Sequence, residues 1–186
     1  AGRVSVKGDM ILNTPNKLTL LRVIMIPLFI VFFLYDFVPY SNIIAIVLFA
    51  AAFFTDWLDG RLARKNNQVT NFGKIMDPLA DKVLVSAAMV CLTWTKIVNP
   101  WITIVILARE FTVSGIRIAA AAEGNVVAAS IWGKLKTSWQ FIAITTALIF
   151  MQKVLIVDIC MWINLILTLF SGVDYVVKNK KYLSYK

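Results

Sequence analysis

Asp56, Asp59, Asp77 and Asp81 are four of only ten acidic residues in a chain of 186. They are spaced Asp-x2-Asp-Gly-x2-Ala-Arg, then eight residues, then Gly-x3-Asp-x3-Asp. On a helix, Asp56, Asp59, Gly60 and Ala63 follow i, i+3, i+4, i+7 and share one face. Asp77 and Asp81 are i, i+4 and share another, which Gly73 extends by a turn. Carboxylates that converge repel one another unless positive charge lies between them. Two Mg2+ or Mn2+ ions would supply that charge, since hard cations take oxygen ligands and commonly combine carboxylates with phosphate oxygens. Gly60 and Ala63 leave room for a ligand against the helix, and Arg64, one turn on, suits a phosphate. The plainer reading pairs each acid with a nearby Arg or Lys or leaves it in water. Four acids at this spacing, with two small residues on the face, favour the metal site.

A second group is cationic. Arg109 stands beside Glu110 in the run Ala108–Gly115, Arg117 follows at i+8, and Lys134 and Lys136 lie in the run Gly133–Thr137. Four cations at one depth could gather around a compact anion, and a phosphate is the natural guest because Arg binds it as a fork and Lys adds charge. The competing reading is charge balance with Glu110 and the aspartates, or snorkelling of the long side chains to lipid head groups.

The elements that must position these groups are membrane helices. The chain is 60% hydrophobic and 16% charged, with a mean hydropathy of +0.78, whereas soluble domains carry about 25% charged residues. Six stretches, near 18–37, 41–62, 78–96, 99–121, 135–152 and 154–177, approach the roughly 20 apolar residues that a spanning helix needs. The expected fold is therefore all-α: a polytopic bundle of six transmembrane helices with an interfacial helix start at Asn13–Arg22. Residues 1–12 are expected to be an extension outside the fold, and 13–186 a single domain. Span two runs inward and span three outward, which brings both acidic faces to the same inner boundary.

The net charge is +9. With both termini cytosolic, only Lys96 and Lys153 of the 19 basic residues fall on the outer side, a strong positive-inside bias. The basic tail reads as a lipid-facing anchor, so membrane lipids are expected partners and nucleic acid is not. The absence of histidine excludes a Ser-His-Asp triad, a His-containing zinc site and the His-x-Lys chemistry of phospholipase D-type enzymes. Cys91 and Cys160 read as packing residues within spans. A cation transporter could use such acids as an ion path, but there is one acidic cluster and no second half resembling it.

The acidic stretch resembles the signature of the CDP-alcohol phosphotransferase family, D-x2-D-G-x2-A-R-x8-G-x3-D-x3-D. It matches at Asp56, Asp59, Gly60, Ala63, Arg64, Gly73, Asp77 and Asp81 without departure. The resemblance extends from about Asn13 onward and implies the family's six-helix layout in a bacterial-type plasma membrane, with the active site facing the cytosol. It implies that Asp56, Asp59, Asp77 and Asp81 hold two divalent cations, Asp81 doubling as general base. Gly60, Ala63, Arg64 and Gly73 would contact the CDP moiety, and the enzyme would be a homodimer. The run REF-x-VSG-x-R…GK-x-KT, with PN-x-x-T-x-x-R at Pro15, Asn16, Thr19 and Arg22, is similar to the branch of the family whose acceptor is sn-glycerol 3-phosphate. On that resemblance the acceptor phosphate would sit among Arg109, Arg117, Lys134 and Lys136, and Asn16 and Thr19 would line the nucleotide end. The implied reaction is attack of the acceptor hydroxyl on the lipid-side phosphorus of CDP-diacylglycerol, giving phosphatidylglycerophosphate and CMP. Sister acceptors, phosphatidylglycerol or an inositol phosphate, stay open; four cations favour a phosphorylated acceptor.

Overall fold

A computed structural model describes the backbone of residues 14–35, 37–66, 71–123, 125 and 130–180, and the side chains of 20–35, 37–55, 82–121, 123, 125 and 130–180. The described residues form six helices and no strand: α1 (Thr14–Leu34), α2 (Ser41–Asn66), α3 (Asn71–Trp94), α4 (Pro100–Ala122), α5 (Ile131–Phe150) and α6 (Leu155–Lys178). The expected extension at 1–12 lies outside the described residues. The chain divides into two compact units, Ala1–Ala87 and Ala88–Lys186.

In the first unit α1 packs on α2. The buried rings of Phe29 and Phe49 meet at 5.8 Å between centroids, with Phe33 stacked on Phe29 at 5.7 Å. Ala45 and Ala52 are fully buried and let the two backbones approach. Arg22 is also fully buried, and its Nε donates to the Ala52 carbonyl at 3.3 Å. The turn between the helices closes on Ser41, whose hydroxyl donates to the Val38 carbonyl at 2.8 Å, while Tyr40 adopts φ 71.

The second unit begins in the last turns of α3. A short turn leads to α4, with the amides of Ile97 and Val98 both donating to the Leu92 carbonyl. Asn99 caps α4 by accepting from the Trp101 amide at 3.0 Å, and Pro100 occupies the first helical turn, where its missing N–H costs nothing. The hydroxyls of Thr93 and Thr103 clasp the hairpin at 2.6 Å. Helix α6 packs on both α4 and α5. Its buried residues are Val157, Met161, Asn164, Thr168, Ser171 and Tyr175, a seam with alternating steps of four and three, as in coiled-coil contacts. The seam is apolar in its first half and polar in its second. Helix α5 shows the reverse order, with buried Lys136 and Gln140 first and Ala143, Ile144, Ala147 and Leu148 after. Trp139 Nε1 donates to the Cys160 carbonyl at 3.2 Å, and the Trp132 and Phe170 rings meet edge-on at 4.7 Å. The two helices thus run antiparallel with polar half beside polar half.

The outward faces are apolar. Ile104, Phe111 and Ile118 on α4, Ile142 and Ile149 on α5, and Ile166, Leu169 and Val173 on α6 are all exposed, while polar groups are buried in the seam. This distribution suits a hydrocarbon solvent, in which helices associate through small and polar residues. By length and composition α6 alone among the described residues clears the requirement for a full crossing, with a mean hydropathy of 2.0; Leu20–Leu34, Ser41–Thr55 and Lys82–Trp94 are shorter apolar stretches.

The helices overrun the apolar stretches that announced them. Helix α2 continues to Asn66 and α3 begins at Asn71, beyond the apolar stretches near 41–62 and 78–96. Pro78 lies inside α3. Hydropathy marks where hydrocarbon would end, and polar residues with good helix propensity carry the helix further.

The α5–α6 seam leaves no space at Ala147, which is fully buried. Ala147→Leu is expected to destabilise the detergent-solubilised protein by about 1–3 kcal/mol through overpacking, and Ile149→Leu on the exposed face by less than about 0.5 kcal/mol. Thermal unfolding monitored by helical circular dichroism checks both.

Candidate active site

The two acidic pairs lie on unbroken helices. Helix α2 carries Asp56, Asp59, Gly60, Ala63 and Arg64, and α3 carries Gly73, Asp77 and Asp81. The backbone therefore supplies the register that the spacing requires, with each pair about one turn apart along its axis. Asn16 and Thr19 fall in the opening turns of α1. The side chains of these ten residues lie outside the described residues. As a donor set, four carboxylates with no sulfur or imidazole fit hard divalent cations. Among the described residues no group of three or more His, Cys, Asp or Glu side chains could hold a metal.

Of the four expected cations, Arg109 and Lys136 are drawn together around Glu110. This residue is buried, 4% exposed, in the middle of α4. An isolated carboxylate there would be costly, and two cations relieve it. Lys136, fully buried near the start of α5, donates from Nζ to Glu110 Oε1 and, at 2.6 Å, to Oε1 of Gln140 one turn further along. Arg109 approaches the same carboxylate oxygen with Nη1 at 3.3 Å and donates from Nη2 to the Ser171 hydroxyl on α6 at 2.5 Å. Helices α4 and α5 thus meet at one carboxylate, and α6 joins them through Arg109. The Arg109 Nε and Gln140 Nε2 donors are buried without a hydrogen-bond partner among the described residues. A centre with spare buried donors can receive an anion.

Arg117 and Lys134 are placed differently. Arg117 is held two turns along α4 by Tyr175: its Nε donates to the phenol oxygen at 3.3 Å and its guanidinium lies 5.7 Å from the ring centroid. The Lys134 side chain is exposed in the first turn of α5, and two residues' spacing sets it on the opposite side of that helix from Lys136. The structure brings Arg109 and Lys136 onto one partner and leaves Arg117 and Lys134 outside that contact. Sequence reasoning treated Glu110 as a counter-charge and missed Gln140, Ser171 and Tyr175. The signal was the stripe Asn164, Thr168, Ser171, Tyr175 within an otherwise apolar span.

Beside this centre, a groove of about 410 Å3 runs between α4 and α6. Val105, Ala108, Val173 and Val176 give it apolar walls, and Arg109, Thr112 and Thr168 are the polar residues lining it.

The model of the CDP-alcohol phosphatidyltransferase family matches residues 12–170. A Bacillus subtilis (strain 168) protein named CDP-diacylglycerol–glycerol-3-phosphate 3-phosphatidyltransferase is 42% identical over 183 residues, covering 90% of this chain and 95% of the relative. Proteins of the same name from Rickettsia bellii (strain RML369-C) and Haemophilus influenzae (strain ATCC 51907 / DSM 11121 / KW20 / Rd) are 38% and 40% identical; they cover 91% and 88% of this chain and 97% and 91% of the relatives. An eight-position acidic signature on two continuous helices, a family match across most of the chain, and near end-to-end relatives lead to one conclusion: the chain belongs to the CDP-alcohol phosphatidyltransferase family.

Proposed function

We propose that the protein transfers the phosphatidyl group of CDP-diacylglycerol to sn-glycerol 3-phosphate, giving phosphatidylglycerophosphate and CMP. The observation that carries this reading is the complete acidic signature on α2 and α3 in a chain that spans nearly the full length of relatives bearing that activity in their names.

Asp56, Asp59, Asp77 and Asp81 would hold two divalent cations, Mg2+ or Mn2+. When bound, these supply charge neutralisation at the diphosphate and at the leaving CMP. Gly60, Ala63 and Gly73 keep the helices slim where the CDP moiety approaches, Arg64 offers charge to its phosphates, and Asn16 and Thr19 serve the nucleotide end. Arg109, Arg117, Lys134 and Lys136 bind the acceptor phosphate, a role supported at Arg109 by its spare buried Nε donor. The acceptor oxygen bonds to the lipid-side phosphorus as the bond from that phosphorus to the CMP oxygen breaks. Asp81 takes the hydroxyl proton and passes it to water. A carboxylate with an ordinary pKa near 3.9 is a weak base toward an alcohol, so Asp81 acts as the bond forms, when the hydroxyl has become acidic.

The protein would be integral to a bacterial-type plasma membrane, with six spans, both termini and the active site on the cytosolic side, and a homodimeric assembly. The hydropathy of α6, the apolar outward faces and the one-sided distribution of Lys and Arg support the membrane and its sidedness; the family resemblance supports the dimer. The acyl chains of the donor stay in the bilayer while the acceptor arrives from water. An inositol phosphate or phosphatidylglycerol as acceptor is the neighbouring reading, and the relatives' names favour glycerol 3-phosphate over both.

Initial-rate CMP release in detergent micelles tests the assignment. Activity is expected with sn-glycerol 3-phosphate and to fall at least about tenfold with an inositol phosphate or phosphatidylglycerol at equal concentration; a reversed preference moves the chain to a sister activity. Chelation is expected to abolish turnover and added Mg2+ or Mn2+ to restore it. Asp81→Asn is expected to lower kcat by about 10²–10⁴-fold, the scale of a lost general base, with an unchanged unfolding temperature in detergent.

A further inference from the structure

Glycine inside an apolar helix costs about 1 kcal/mol relative to alanine, so Gly172 in the middle of α6 calls for a reason. The Arg109 stem supplies one. A Cβ built on Gly172 would lie 2.9 Å from Arg109 Cγ and 3.9 Å from its Cβ. The first distance is closer than real side chains come, and the atom it meets is the middle of the stem rather than its free end. A methyl at 172 would therefore turn the stem into another rotamer and swing the guanidinium away. One residue earlier, the Ser171 hydroxyl accepts from Arg109 Nη2, while Glu110 takes Nη1. Stem and head are fixed by adjacent residues of α6 and by the neighbouring carboxylate, and Nε is left as a buried donor without a partner among the described residues.

We propose that Ser171 and Gly172 are positioning residues that seat the Arg109 guanidinium and thereby set the affinity for the acceptor phosphate. The proposal rests on the reading of Arg109 as a ligand of that phosphate. Ser171 and Gly172 act through Arg109: neither needs to touch substrate. A role confined to close packing of α4 on α6 would instead lower stability and disturb both substrates alike.

Full-length Gly172→Ala, Ser171→Ala and Arg109→Lys variants in mixed micelles with Mg2+ decide between these. Each is expected to raise the KM for sn-glycerol 3-phosphate about tenfold, the scale of one weakened charge-assisted contact, with the KM for CDP-diacylglycerol and kcat moving less than about twofold. Ser171→Ala in the Arg109→Lys background is expected to add nothing further, because both changes remove one contact. Equal shifts in both KM values, or additivity in the double variant, overturn the seat. An Arg109→Lys effect without any effect at 171 or 172 overturns the seat and leaves Arg109 as a ligand. An unchanged acceptor KM in Arg109→Lys overturns the assignment of Arg109 and the seat with it. If Gly172→Ala fails to fold, Ser171→Ala, which removes one oxygen, carries the test.

Discussion

A carboxylate buried away from water dictates the arrangement of the second unit. Glu110 cannot stay charged in an apolar interior unless cations reach it, and the two that do, Arg109 from its own helix and Lys136 from α5, fix how those helices approach. The Arg109 head in turn reaches α6 at Ser171. The geometry of three helices is thus tied to one side chain. The ionic contact gives direction to a bundle whose outward apolar groups would be equally content against any lipid.

The same centre explains why few of the cations gather in one place. Glu110 satisfies part of the charge of Arg109 and Lys136 and holds both rigid, while Tyr175 steadies Arg117 two turns away by an oxygen and a ring face. An anion entering such a site meets donors already aimed, with little left to order, and preorganisation of that kind is where affinity is gained.

Much of this was legible in the sequence, for physical reasons that differ from residue to residue. Six helices could be read because each apolar stretch is long, and Asp56, Asp59, Asp77 and Asp81 could be paired because spacings of three and four residues are the helix repeat itself. The helix ends were less legible, since the run through Arg64, Lys65 and Asn66 is polar without leaving the helix. The division between Lys134 and Lys136 was latent in their two-residue spacing. The link from Arg109 to Ser171 was not, because it joins positions 62 residues apart through packing alone, and nothing local in either segment announces the other.

The polar half of the α6 seam has a consequence for how the chain is put together. The Ser171 hydroxyl would lack a tertiary partner on a lone helix away from water, and it finds one on α4, at Arg109. Helix α6 is the last of the six to leave the ribosome, so α4 and α5 are already made when it arrives. Packing of α6 is therefore an act of docking onto neighbours that precede it in the chain, and the order of synthesis becomes part of the folding code.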